Sequence, residues 1–192
     1  MTAVALGFRT HSGWTSAVAV AGSPAKPVVL VRRRLELASP DAGAKQPYHA
    51  AEPLEFADAA AMIQRCRDRS MSLAEAGLSA LVAQLAAQGH RIVGAGIVFA
   101  SGRELPDLAG ILKSHALIHT AEGEFFRDVL VCACERRSLP VTRIKERDVR
   151  DLDADAWAHI DGLGKSLGPP WRQDEKLASM AAWMALAAQR RR

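Results

Sequence analysis

Cysteine is scarce: Cys66, Cys132 and Cys134 are the only three in 192 residues, and an odd number cannot pair off into a disulfide framework. Cys132 and Cys134 lie in an apolar helical run rather than in a metal-binding knuckle, so reduced, buried thiols are expected. Excess charge is also small, at +4 from 25 basic and 21 acidic residues, and much of it sits in the runs Arg32, Arg33, Arg34 and Arg190, Arg191, Arg192. Such a balance permits a polyanionic partner without requiring one, because phosphate binding depends on clustered rather than total charge. No continuous apolar stretch reaches the roughly 18–20 residues that cross a bilayer. The N-terminus shows no basic region followed by an apolar run and a cleavage site, and a cytoplasmic location is the expectation. Internal repeats and low-complexity tracts are absent as well.

What is present is 49% hydrophobic and 24% charged, the balance of a globular chain long enough to bury one sizeable core. A single domain is expected over 1–192, with a long loop at 38–55 and a basic tail at 190–192. "AVALGF", "WTSAVAVA" and "VVLVRRRLEL" read as three strands in hairpin order, the third tolerating its arginines as an edge strand. Residues 38–55 hold three prolines and little apolar pattern, so they form a loop of a length that is often functional. Helical sequence follows from about Phe56 to Gln88, read as two helices broken near "DRSMS" with Ser72 as an N-cap, and Gly89 ends it. "HRIVGAGIVFAS" reads as a strand buried on both faces, with a helix to about Arg137 and a fifth strand at "LPVTRI" after it. "DVRDLDADAWAHIDGLG" is either a short helix or a loop. "GPPW" breaks the chain before a final Ala-rich helix from Asp174 to Gln189. Helix-linked strands returning to one sheet pair in parallel by right-handed crossovers. The expected fold is α/β: a mixed five-stranded sheet, three antiparallel strands and then two parallel, covered on both faces.

That element order resembles the ribonuclease H-like superfamily. The segments "VALGFRTHSGWTSAVAV", "AGIVFAS", "HTAEGEFFRDVLVCACERRSLPV" and "DEKLASMAAWMALA" look most similar to those of the RuvC-type Holliday-junction resolvases. The resemblance implies a nucleic-acid ligand and two divalent ions, Mg²⁺ or Mn²⁺, held by carboxylates from the first strand, the fourth strand and the last helix for phosphodiester hydrolysis. Arg9 stands where the first-strand aspartate is expected and Gly96 where the fourth-strand glutamate is expected; Asp174 and Glu175 remain at the last helix. A guanidinium in a carboxylate's place repels Mg²⁺. The resemblance therefore points to a phosphate-binding protein whose two-metal nuclease site is divergent or lost, and any retained activity would be phosphodiester hydrolysis. An alternative is a nucleotide or small-molecule binder of the actin and sugar-kinase branch, whose phosphate-cradling first turn "RTHSGW" resembles. A non-catalytic scaffold is the third reading. A homodimer is compatible with the chain, although nothing in it fixes an oligomeric state.

The densest chemistry lies in "HALIHTAEGEFFR", where His115, His119 and Glu122 fall on one helical face. Two nitrogens and one carboxylate in this spacing suit Fe²⁺, Mn²⁺ or Zn²⁺, and a histidine oriented by a carboxylate suits general base catalysis. An ordinary amphipathic helix, polar outside with Ile118, Ala121, Phe125 and Val129 inside, explains the same pattern. In the expected topology His119, Glu122 and Glu124 face Arg9 and His11, with Asp174 and Glu175 closing the ring. His119, Glu122, Glu124 and Asp174 are thus the catalytic candidates, and His119, Glu122, Asp174 and Glu175 the metal candidates. Arg9, Thr10, His11, Ser12, Arg127 and His49 are the phosphate-binding candidates, with Tyr48 and His49 carried on a loop that could cover the cleft.

Overall fold

The computed structural model describes residues 1–23, 26–100, 104–152 and 154–189. Strands β1 (Thr2–His11), β2 (Trp14–Ser23) and β3 (Lys26–Glu36) form the antiparallel run. Helices α1 (Pro47–Ala51) and α2 (Phe56–Ala87) lead to β4 (His90–Phe99). Helices α3 (Leu108–Leu112) and α4 (His115–Glu135) then lead to β5 (Val141–Lys145). The chain ends in α5 (Glu146–Arg150), α6 (Ala154–Leu167) and α7 (Gln173–Gln189). The sheet order is β3-β2-β1-β4-β5, with β1 antiparallel to β2 and parallel to β4, and β4 parallel to β5. This is the mixed five-stranded architecture read from the sequence, with β3 at the edge.

Strand alternation divides the core. Val4, Leu6 and Phe8 of β1, with Ala17 and Ala19 of β2, pack against Leu78, Leu81 and Leu85 of α2 and Phe125, Phe126 and Val129 of α4. The other face carries α7, whose Ala178 and Ala182 meet Val18 and Val20, while Leu177, Met180 and Ala181 meet Val98 and Ile144. On this side the strands are lined with small residues, and α7 comes down almost onto the sheet backbone. A Cβ placed on Gly7 would stand 1.8 Å from the Ala178 carbonyl oxygen, and one on Gly96 would stand 2.2 Å from that of Ala181. Glycine is required at both places by proximity rather than by its torsional freedom. The turn from β1 to β2 needs the second property: Gly13 has φ +85° and its carbonyl accepts from the N–H groups of Leu37 and Ala38 at 2.7 and 3.0 Å, tying the hairpin tip to the end of β3.

The structure differs from the sequence reading in three places. Helix α2 runs unbroken through "DRSMS", because Ser70 and Met71 are buried and the Ser72 hydroxyl donates to the Asp68 carbonyl at 3.0 Å instead of capping a new helix. It is long and apolar enough by composition to cross a membrane, yet its apolar stripe lies on the sheet. The segment 38–55 is not wholly irregular, since Pro47 opens the short helix α1. The ambiguous acidic stretch forms two helices, α5 and α6, which bury Val149 and Ile160 beneath α7. The arginine tail at 190–192 lies outside the described residues.

Candidate functional site

The carboxyl ends of β1, β4 and β5 meet the first turns of α5 and α7. Arg9 shares the α7 face of β1 with Gly7, and one of its terminal nitrogens, Nη2, lies 3.0 Å from Glu146 Oε2. Its Nη1 donates to the Thr10 carbonyl at 3.2 Å, and its buried Nε has no partner. Glu146 follows β5 directly and also receives Arg150 at 2.5 Å. Against the upward pull of burial, Arg150 and then Arg9 and Arg127 hold the Glu146 carboxyl below the ordinary glutamate range. His11, next on the same face, shares a 2.8 Å hydrogen bond between Nε2 and Asp174 Oδ1, at the opening of α7. The His11 ring stacks on Trp14 with centroids 4.4 Å apart, and the Arg34 guanidinium covers the Trp14 ring at 4.1 Å.

This column of His11, Trp14 and Arg34 borders a groove of about 430 Å³ lined also by Ser16, Arg172 and Glu175. Arg32 forms its floor, donating to the carbonyls of Leu167, Gly168, Pro169 and Pro170 and so fastening β3 to the connection between α6 and α7. Glu175 turns back over the start of α7, its Oε2 accepting from the Arg172 N–H at 2.8 Å.

Helix α4 carries two further groups on different sides. Glu122 and Glu124, two residues apart, project about 200° apart around a helix of 3.6 residues per turn. Glu122 is buried and turns to α1, where Oε1 accepts from the backbone N–H of Tyr48 at 2.7 Å and of His49 at 3.0 Å. The His49 ring nitrogen Nδ1 lies 3.4 Å from the same oxygen, while Oε2 is buried without a partner. Burial raises the Glu122 carboxyl above its ordinary pKa, opposed by those hydrogen bonds. Beside it, the His115 and His119 Nε2 atoms are 3.1 Å apart. Glu124 turns the other way, to Arg127 at 3.3 Å, and burial raises its pKa against the pull of that guanidinium. Arg127 also donates to the Gly123 carbonyl, and burial lowers its pKa. Asp128 faces Arg143 at 4.0 Å.

The sequence-derived ring therefore separates into two. His11 and Asp174 come together, and Arg127 lies within electrostatic range of Arg9. His119 and Glu122 do not join them; they gather with His115 and His49 on the α1 side. His115 is the first residue of α4 and shares the face of His119. Thr10 is buried on the opposite face of β1 from Arg9, with its hydroxyl 3.3 Å from that of Thr15, and is withdrawn from any ligand; Ser12 is exposed at the hairpin tip. His49 is engaged with Glu122 rather than free to cover the Arg9 turn. Sequence reasoning missed Glu146 and Trp14, and weighed Arg34 only as one of a basic run that could touch a nucleic-acid backbone. The signal for Glu146 was its position immediately after the fifth strand, at the edge where ligands collect.

No family model matches the chain, and no curated protein matches it by sequence. Among solved structures it is similar to T. thermophilus RuvC in complex with a Holliday junction substrate, at a TM-score of 0.55 and 12% identity, covering 97% of this chain and 92% of that one. A second Thermus thermophilus RuvC structure aligns with a TM-score of 0.54 and 13% identity, covering 97% and 96% of the two chains. The fold is RuvC-like and ribonuclease H-like.

The sequence resemblance carries the expectation of a carboxylate-held metal pair at the edge just described, and the residues there do not fit one. Arg9 is cationic and committed to Glu146. Gly96 lies so close beneath the Ala181 carbonyl that a glutamate side chain has no room. Val98, two residues further along the same face, is buried with Ile144 and Leu177. Asp174 is engaged by His11. Hard divalent cations need several oxygen ligands with uncompensated negative charge, whereas Glu146 and Asp174 each have a basic neighbour and Glu175 accepts the Arg172 backbone N–H.

Proposed function

We propose that this protein binds nucleic acid through its phosphates along the carboxyl edge of the sheet and the adjoining α7 groove, and that it has lost the two-metal hydrolysis of its structural relatives. The observation that carries this reading is that the carboxylates along the edge are already engaged: Glu146 by Arg9 and Arg150, Glu124 by Arg127, Asp128 by Arg143, and Asp174 by its hydrogen bond with His11. An edge so paired does not concentrate cations, whereas the exposed arginines beside it attract phosphate. Arg34 and Arg172 are solvent-exposed at the groove, and Trp14, held between His11 and Arg34, positions the Arg34 guanidinium at its border. His11 and Ser12 stand at the hairpin end of this path, with Arg9 and Arg127 adding positive potential from beneath it. The similarity to a RuvC solved with a Holliday junction supports nucleic acid over a mononucleotide.

Fluorescence anisotropy with labelled four-way junction, duplex and single-stranded DNA tests the proposal, read at two salt concentrations. Binding should weaken steeply with salt. Arg172→Ala should weaken it for all three substrates alike and lower the salt slope by about 1, as the loss of one phosphate contact does. Incubation with Mg²⁺ or Mn²⁺ should leave all three substrates intact. Robust Mg²⁺-dependent cleavage that co-purifies with the protein and is abolished by Asp174→Asn would overturn the loss of hydrolysis, and absence of binding at low salt to every substrate would overturn the ligand class.

A further inference from the structure

The groups gathered on the α1 side of α4 have no place in the nucleic-acid reading, and they form a site of a different kind. His49, His115 and His119 each present a ring nitrogen, and the three nitrogens all lie within 4.8 Å of one another. We propose that these three imidazoles bind one zinc ion, with a fourth coordination position open to an oxygen ligand from solvent.

Helical pitch supplies the first two ligands. His115 and His119 are four residues apart on α4, and their Nε2 atoms stand 3.1 Å apart. Two nitrogens bound tetrahedrally to zinc at about 2.0–2.1 Å are separated by about 3.3 Å, so the pair needs almost no movement to share an ion. Without an ion, two nitrogens so close tolerate each other only when one carries the proton between them. A metal removes that constraint by accepting both lone pairs.

The third ligand comes from α1, and Glu122 is what holds it there. Its Oε1 takes the N–H groups of Tyr48 and His49 and faces His49 Nδ1 at 3.4 Å. A carboxylate on Nδ1 leaves the Nε2 lone pair of His49 as the coordinating one and raises its basicity, the usual relation between a metal-bound histidine and the acid behind it. The rings of His115 and His119 lie edge-to-face with that of His49, at centroid distances of 5.4 and 4.7 Å, so no two rings are stacked and all three can converge. Glu122 is itself 6% exposed with Oε2 unpartnered, an acid buried beside three imidazole rings. A divalent ion on those rings compensates it.

The donor set selects the metal. Three imidazoles suit Zn²⁺ and its neighbours, whereas Mg²⁺ and Ca²⁺ require oxygen ligands that this cluster does not present. His115 and His119 are exposed while His49 is half-buried, so the ion would sit at the surface with one position facing solvent. A three-histidine site with an open position is the arrangement in which zinc polarises a bound oxygen ligand. The ion would also fasten α1, and with it the segment 38–55, to α4.

Untagged protein stripped with a chelator and titrated calorimetrically with Zn²⁺ should bind one equivalent with a dissociation constant in the micromolar range or below, and Co²⁺ in its place should give visible bands of tetrahedral intensity. His49→Ala and His119→Ala should each weaken binding by about 100-fold, and Glu122→Gln by about 10- to 100-fold with the Co²⁺ spectrum retained. His90→Ala, at a histidine outside the cluster, should bind as the wild type does. Circular dichroism establishes that each variant is folded, and His115→Ala serves where His49→Ala disturbs α1. Binding weaker than about 100 µM would overturn the proposal. So would unchanged affinity in both His49→Ala and His115→Ala.

Discussion

Substituting Gly7 by alanine tests the tightest of the glycine positions among the described residues. The new Cβ would stand 1.8 Å from the Ala178 carbonyl oxygen, 2.6 Å from the Ala182 nitrogen and 2.9 Å from the Ala178 carbonyl carbon. All three are backbone atoms of a helix and cannot swing aside, so α7 must retreat by roughly 1 Å, a gap that forfeits a quarter to a half of each dispersion contact it opens. Leu177, Ala178, Met180, Ala181, Ala182, Ala185 and Leu186 are all buried in that contact. Overpacking one methyl in a core ordinarily costs about 1–3 kcal/mol. Because the whole helix is displaced here, a loss of about 3–5 kcal/mol is expected, in the range reserved for severe core lesions. Gly162 provides the control: it is exposed inside α6, and an added Cβ meets nothing within 4 Å. Alanine there should stabilise by about 0.5–1 kcal/mol through helix propensity. Urea denaturation followed by circular dichroism reads both. A loss under about 1 kcal/mol for Gly7→Ala, with Gly162→Ala behaving as expected, would refute the placement of α7 on the β1 backbone.

Three further outcomes are expected. Burial raises the Glu122 pKa, so its contribution is fully present below the ordinary glutamate value of about 4.3 and is lost as pH rises through the raised value. The urea midpoint of the wild type relative to Glu122→Gln should accordingly be highest in acid and fall toward neutrality, and a difference independent of pH would contradict it. Arg9→Met leaves Glu146 to Arg150 alone and should cost about 1–2 kcal/mol, between the values for exposed and buried ion pairs, measured as a lower denaturation midpoint at pH 7. Cys134, buried with its thiol pushed up to about 12, should resist iodoacetamide at pH 8 in the folded protein, as mass spectrometry of the labelled peptides would show.

Much of the fold was legible because the sheet announces itself by alternation and by the punctuation of glycine and proline. The strands, their order and the edge position of β3 follow from those signals and from the rules of parallel crossovers. The unbroken course of α2 was hidden by "DRSMS", whose serines read as a cap although Ser70 is buried and Ser72 bonds back along the helix. The site was legible only along single elements. His115 and His119 can be paired from spacing, and the opposite projection of Glu122 and Glu124 follows from helix geometry alone, which already separates the ring those residues were expected to share. His49 could not be joined to them, because its place depends on how a proline-rich segment folds back onto α4. Nor could the pairing of Arg9 with Glu146, 137 residues later in the chain, be read from either local stretch.

The three consecutive arginines of β3 have a consequence for assembly. β3 ends the sheet, and such an edge invites another strand to continue it. Two copies meeting along this edge would bring Arg32, Arg33 and Arg34 of each into mutual range, and like charges facing across a strand pair repel. Arg32 is further drawn down onto the carbonyls that precede α7, which holds the edge to its own molecule. The sheet is thereby guarded against a sixth strand on its β3 side.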